Sequence, residues 1–457
     1  MPLKAYAEFC VAAREIDLPG EAMHHAKRCL IDWMAATLPG GILPPAVPMI
    51  DALASDIGHG SARLLPSGLS ATARTAALIN GSAAHTVEFD DIYRDGLYHP
   101  GAPVIAAALA AAEAEGVSGD MLLRGIISGY EVSNRIAVAV NPAHYKYWHT
   151  TATVGFFGAA AATATILGLD ETQSMHAMAT TGTMAAGLQQ VFRSDAMTKP
   201  LHSGRAAEGG LLSAEMARVG ITGALDILDG EVGFGNAMSR DVDWSQAVKG
   251  LGDDYTITRM TQKNHAACGH VHAAVDGVIE LTRAHSLKPE DVGAIRVGSY
   301  ASSKEICGNP DPKTAFEAKF SLPYCVATAL VRGSVRSAAF FPETLADPII
   351  RTVAAKVEHT IDPGCQAAFP KARSAQVEIE TTDGRKLHHH APTRKGDPDA
   401  PLTDDELAEK YRELAEPVIG GEQSERLLAA LTTVGDLASI RKLPLPSLGQ
   451  VSRAAAE

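Results

Sequence analysis

The sequence predicts a mainly α protein: a large all-helical domain built from both chain ends, with a smaller α+β lid domain inserted between them. Three observations carry this expectation. Helix-length segments follow one another from the start to about residue 250 with no sustained β alternation. After about residue 260 a strand-like run and a hairpin pattern appear, and near residue 403 helical signals return. The expected domains are 1–259 with 398–457, and 260–397, with two crossings that could hinge over a cleft.

In chain order, AMHHAKRCLIDWMAATL, SATARTAALINGSAAHTVEF, APVIAAALAAAEAEG and GDMLLRGIISGYEVSNRIAVAV each have helix length and helix-favouring residues. The stretch from Thr150 to Leu169, TTATVGFFGAAAATATILGL, approaches bilayer-spanning length. It is mostly Ala, Gly and Thr and reads as a buried helix packed through small residues. Asp120 and Asp170 stand where N-caps would. In the second region, DVGAIRVGS reads as a strand, and AQVEIETTDGRKLHHHA alternates around Asp383-Gly384, a two-residue hairpin turn. HVHAAVDGVIELTRAH and FSLPYCVATALVRG supply its helices. TDDELAEKYRELAEPV opens with Thr403 and a run of acids at the positive end of a helix, and SERLLAALTTV follows. The tail after about residue 445 is expected to be loosely held.

Composition supports this reading. Of 457 residues 77 are alanine and only 5% aromatic, which suits closely packed helices better than a sandwich of strands. With 40 Lys+Arg against 53 Asp+Glu the formal charge is −13, which excludes binding to nucleic acid or an anionic membrane through a general basic field. The six cysteines are scattered with no CxxC pair, as expected of free thiols in a reducing cytoplasm.

Four constellations could carry chemistry. His85-Thr-Val-Glu88-Phe-Asp90-Asp91, followed by Tyr98-His99-Pro-Gly101, is either a polar cluster orienting His99 as an acid or base, or a solvated acidic loop before the helix at Ala102. Trp148-His149-Thr150-Thr151 places a histidine at a helix start, where the macrodipole favours its neutral form; an ordinary hydrogen bond there is the plainer reading. Thr198-Lys199-Pro-Leu-His202-Ser-Gly204-Arg205 is either an anion site at a helix N-terminus or a surface lysine in a connection, and it lacks the GxxxxGK[ST] order of a phosphate loop. In Lys263-Asn-His265-Ala-Ala-Cys268-Gly-His270-Val-His272 the spacings are too tight for the usual structural zinc pairs, so no metal is expected, and His272 could pair with Asp276 one turn on. His388, His389 and His390 alternate between strand faces and make no joint site.

Taken together, AKRCLIDWMAATLPG, EFDD…HPG, WHTTATVGFFGAAAA, TKPLHSGRAAEGG, KNHAACGHVHAAVDG, AKFSLPYCVATAL and GDPDAPLTDDELAEKY resemble, in order and spacing, the MmgE/PrpD family of 2-methylcitrate dehydratase, cis-aconitate decarboxylase and iminodisuccinate epimerase. The resemblance implies a homodimer with no metal or organic cofactor, acting on a small di- or tricarboxylate in a cleft between the domains. It implies His99, His149, Lys199 and Lys263 as catalytic groups, and Glu88, Asp90, Asp91, Cys268 and Tyr324 as substrate contacts. Fixed cations would meet the charge that develops when a proton leaves the carbon beside a carboxylate, and the histidines would move protons near their ordinary pKa. Three departures set this chain apart from the decarboxylase branch: Glu88 and Ile92 in place of Asp and Thr, Cys268 in place of a second histidine, and a loop from Asp91 to His99 that is one residue longer, as in the epimerase. The resemblance favours a dehydratase of a hydroxylated di- or tricarboxylate, with an epimerase of a dicarboxylate next; a cis-aconitate decarboxylase and a non-catalytic carboxylate binder are the remaining readings.

Overall fold

Alanine, glycine and threonine at helix contacts let backbones approach closely, and the larger part of the chain is built this way. A computed structural model describes residues 1–194 and 196–448. The expectation for the tail from residue 449 lies outside them. The chain divides into two compact units, one made of Met1–Thr261 with the described residues from Thr403 onward, the other of Gln262–Leu402.

In the larger unit the helix Thr150–Leu167 is buried along residues 150–166 and packs against the helices Gly119–Val140, Gly101–Glu115 and Thr198–Arg218. Its length and apolarity would suffice to cross a bilayer, but its packing partners are other helices of the same unit. The helix Thr198–Arg218 also lies along Ala73–Thr86. Gly204 makes that approach possible, since a Cβ there would overlap the Leu78 carbonyl oxygen. Asp170 caps its helix as expected, in a reciprocal box with Gln173. The other expected cap is shifted: Ser118 accepts from the Met121 amide at 3.1 Å, while Asp120 sits in the first turn and binds Arg124 at 2.6 Å.

The helix Asp404–Ile419 returns to this unit and packs on Gly20–Gly40. Thr403 and Glu406 form its capping box. One feature departs from an all-helical reading: strands β1 (Ile57–Arg63) and β2 (Ser70–Ala71) form a small antiparallel pair. Its glycine-rich stretch IGHGSAR shows no alternation that a sequence reading could detect.

The smaller unit holds a four-stranded sheet. β3 (Val292–Ser299), β4 (Val357–Ile361), β5 (Ala375–Thr381) and β6 (Lys386–Ala391) are ordered β4-β3-β5-β6. β3 and β4 are parallel, and the other neighbours are antiparallel. β5 and β6 form the expected hairpin, with His388, His389 and His390 opposite Glu378, Val377 and Gln376, but its turn is longer than the two residues expected: the Thr381 amide donates to the Arg385 carbonyl at 2.9 Å, leaving Thr382, Asp383 and Gly384 between them. β4 was not anticipated. The helix His272–His285 packs on β5 and β6, and Leu322–Arg332 packs on it in turn.

Candidate active site

Four helix ends in the larger unit bring most of the expected residues together. His85 lies in the last turn of Ala73–Thr86. The following loop carries Glu88, Asp90 and Asp91 and reaches His99 just before the helix Gly101–Glu115. His149 is the N-cap of Thr150–Leu167, and Lys199 and His202 lie in the first turns of Thr198–Arg218. The His99 amide donates to Thr151 Oγ1 at 3.3 Å, which ties two of these helix starts together. Three positive helix ends around one cluster favour a bound anion.

Asp90 is the centre of the acidic loop. One of its oxygens faces His85 Nδ1 at 2.6 Å and His99 Nδ1 at 3.3 Å. Burial pushes the Asp90 carboxyl up, but the charges and hydrogen bonds of His85 and His99 outweigh it and hold the group well below the usual range. It is therefore an anion between two imidazoles. The Glu88 carboxylate pairs with Lys199, both almost fully buried. Glu88 adopts a left-handed backbone (φ 59°), a conformation that costs a non-glycine residue about 1–3 kcal/mol and here aims its side chain at Lys199.

Asp91 has a different environment. Its carboxyl accepts from the Gly101 amide at 3.0 Å and the Tyr130 hydroxyl at 2.7 Å. Burial, reinforced by Asp32 and Asp90, pushes it up to about 8.

His149 is buried between rings. His85 stacks at 5.6 Å, Phe192 meets it edge-on at 5.0 Å, and His202 is tilted at 5.4 Å. Burial lowers its pKa well below the ordinary value, and His85, Lys199, His202 and His99 add to the effect. At neutral pH it is a neutral imidazole able to accept a proton. The Lys199 ammonium lies 5.4 Å above the Phe192 ring. His99 is partly open, with a side chain 19% exposed. Among the described residues, His85, Asp90 and His99 are also the one group whose ligand atoms lie within 4.8 Å of one another, a spacing that could hold a metal ion.

Glu88, Asp90, Asp91, His99, His149 and Lys199 are thus assembled in the larger unit. Lys263, Cys268 and Tyr324 belong to the smaller one. There Lys263 is buried, and Cys268 donates its amide to the Lys319 carbonyl at 2.9 Å and has its thiol beside that of Cys307. The Tyr324 hydroxyl donates to the Ala339 carbonyl at 2.5 Å. Asp276 pairs with His265 at 2.8 Å rather than with His272, whose Nε2 meets the Ala267 carbonyl at 3.1 Å. His270 is engaged with the Tyr300 hydroxyl at 2.8 Å.

Sequence reasoning did not assign His85, His202, Phe192 or Tyr130 to the site. A usable signal existed for two of them. His85 opens the acidic motif by standing three residues before Glu88, and His202 follows Lys199 by three, close to one helical turn.

Comparison with known proteins agrees with this architecture. Residues 4–247 match the MmgE/PrpD N-terminal domain and residues 265–434 the MmgE/PrpD C-terminal domain. The chain is 26% identical to the cis-aconitate decarboxylase-like protein oryM of Aspergillus oryzae, over 96% of each chain. It is 26% identical to a cis-aconitate decarboxylase of Aspergillus terreus over 96% of this chain and 95% of the relative. Identity to the Homo sapiens cis-aconitate decarboxylase is 27%, over 79% of this chain and 76% of that one.

Proposed function

The chain belongs to the MmgE/PrpD family, and from that premise we propose that it is a lyase of small di- or tricarboxylates, dehydrating a hydroxylated substrate of the 2-methylcitrate type without a metal or organic cofactor. The observation that carries the reading is the contrast between two histidine environments in one cluster. His149 is held neutral by burial and by the cations and rings around it, whereas His99 faces the ionised Asp90. Environments pushed apart in this way assign a base and an acid.

In the proposed reaction His149 takes the proton from the carbon beside a substrate carboxylate. The C–H electron pair becomes the new C=C bond as the C–O bond at the neighbouring carbon breaks. His99, its charge balanced by Asp90, gives a proton to the departing hydroxyl, which leaves as water. Lys199 meets a substrate carboxylate where negative charge grows. Glu88 holds that lysine in place, and Asp91, its carboxyl bonded to Gly101 and Tyr130, braces the loop.

Incubation with 2-methylcitrate and related hydroxy tricarboxylates, followed by alkene absorbance in the ultraviolet, tests the proposal; no alkene from any of them would sink it. A second reading is favoured by the relatives, which are two cis-aconitate decarboxylases and a cis-aconitate decarboxylase-like protein. Carbon dioxide release from cis-aconitate would select it over dehydration. Glu88, Ile92 and Cys268 stand against it, since each differs from the residue expected of that branch. Solvent deuterium entering a dicarboxylate without alkene would select the epimerase instead. A homodimer is part of the proposal, and light scattering on the purified chain reads it directly.

A further inference from the structure

His149 touches a second histidine that belongs to none of the roles described so far. His202 lies three residues after Lys199, and its Nδ1 is 3.1 Å from Nδ1 of His149. Two ring nitrogens this close share a single proton. Two facing lone pairs would repel, and two facing N–H groups would collide. The contact therefore makes one of the facing atoms a donor and the other an acceptor, so the tautomer of His149 is tied to that of His202.

Both rings are held by their surroundings. The His149 amide donates to the Gly187 carbonyl at 3.0 Å. Gly187 (φ 154°) forms a flat wall against His202: a Cβ there would stand 3.3 Å from both Cε1 and Nδ1 of that ring and would overlap Ala152. His85 stacks on His149 and Phe192 meets its edge, so the ring has little freedom to turn away from His202. The charged and titratable groups facing His202 are His149, His85 and Lys199. Burial, with His85 and Lys199, lowers the His202 pKa to about 4. Near pH 7 the pair therefore carries one proton on each ring and no net charge.

We propose that His202 is a positioning residue that holds His149 in a single tautomer through the Nδ1···Nδ1 hydrogen bond. Its catalytic consequence rests on the reading of His149 as the base of the proposed reaction; the tautomer itself does not.

Three substitutions separate this role from simple packing. His202→Asn places an amide near the position of Nδ1 and can meet either a donor or an acceptor. His202→Gln places its amide near Nε2 instead, and His202→Leu has no polar atom. Thermal midpoints and circular dichroism identify which of them fold as the parent does, and the Asn and Gln variants alone suffice if the Leu variant does not. Long-range proton–nitrogen spectra of histidine-labelled protein, with the His149 signals assigned by their loss in His149→Gln, report the tautomer without any substrate. The expected result is one tautomer in the parent and in His202→Asn, and a mixture in His202→Gln and His202→Leu. With a turned-over hydroxy acid, kcat should fall by roughly tenfold or more in Gln and Leu while KM stays within about threefold, and Asn should restore most of kcat. A tautomer mixture in the parent, a single unchanged tautomer in His202→Gln, or an Asn variant as impaired as Gln would overturn the proposal. If no acid is turned over, the functional reading fails while the spectra still decide the role of His202.

Discussion

Asp91 and Asp90 are neighbours in sequence, yet their carboxyls titrate in opposite directions: burial raises both, but for Asp90 the two imidazoles outweigh it, whereas for Asp91 the nearby Asp32 and Asp90 add to it. For Asp91 the folded pKa of about 8 lies above its ordinary 3.8. Its contribution to stability is therefore fully present below about pH 4 and is lost as pH rises toward 8, at up to about 1.4 kcal/mol per pH unit. Asp91→Asn keeps an acceptor for the Gly101 amide and should flatten this fall, so that its thermal midpoint exceeds that of the parent at pH 8 but not at pH 4. A Tm series across that range checks it, and parallel curves would refute it. Asp90 leads to a second expectation. With its carboxylate occupied by two imidazoles, exhaustive dialysis against a chelator should leave turnover unchanged; loss of activity restored by a divalent ion would show that His85, Asp90 and His99 serve as metal ligands instead. At this scale the sequence was legible where chemistry-bearing residues cluster in the chain, as in Glu88, Asp90, Asp91 and His99. It was not legible for the stacking of His85 on His149 or the pairing of His149 with His202, which depend on how the helices are placed side by side.

The helix Asp404–Ile419 supports the acidic loop from behind. Lys410, fully buried, donates to Asp32 Oδ1 at 2.6 Å and to the Phe89 carbonyl at 2.7 Å, and its ammonium lies 4.1 Å from the centre of the Phe89 ring. Burial raises the Asp32 pKa despite the lysine beside it, so the carboxylate depends on this partner. Lys410→Met should cost about 3–5 kcal/mol, because it strands a buried carboxylate, and adding Asp32→Asn should recover part of the loss. Denaturant titration of the single and double variants measures both. Equal instability of the two would mean that packing, and not charge, is at stake. The helix itself could be read from the Thr403-Asp404 cap and its run of acids. Its contact with Phe89 could not, because nothing in the local pattern says which distant loop a buried lysine will reach. Strands show the same division: the β5–β6 hairpin announces itself through alternation and Asp383-Gly384, while β4 is five residues whose strand character comes from pairing with β3.

The larger unit is discontinuous, and its second segment is integral to it. A chain ending at Leu402 keeps all the candidate site residues but loses Lys410 and the helix packed on Gly20–Gly40. It should lack a cooperative thermal transition and show weakened near-ultraviolet circular dichroism, whereas a sharp two-state melt would show that the C-terminal segment is dispensable. The net charge of −13 and the proposed anionic substrate are compatible at this scale, because the former sets the outer field and the latter would meet Lys199 and three helix N-termini locally. The pairing of Lys410 with Asp32 also orders events during synthesis. The two residues are 378 positions apart; at about 5–20 residues per second the carboxylate waits roughly 20–75 s on the ribosome for its lysine. The acidic loop of a nascent chain therefore lacks its rear support until Lys410 has been made, so the site is completed only in molecules that extend through the helix Asp404–Ile419.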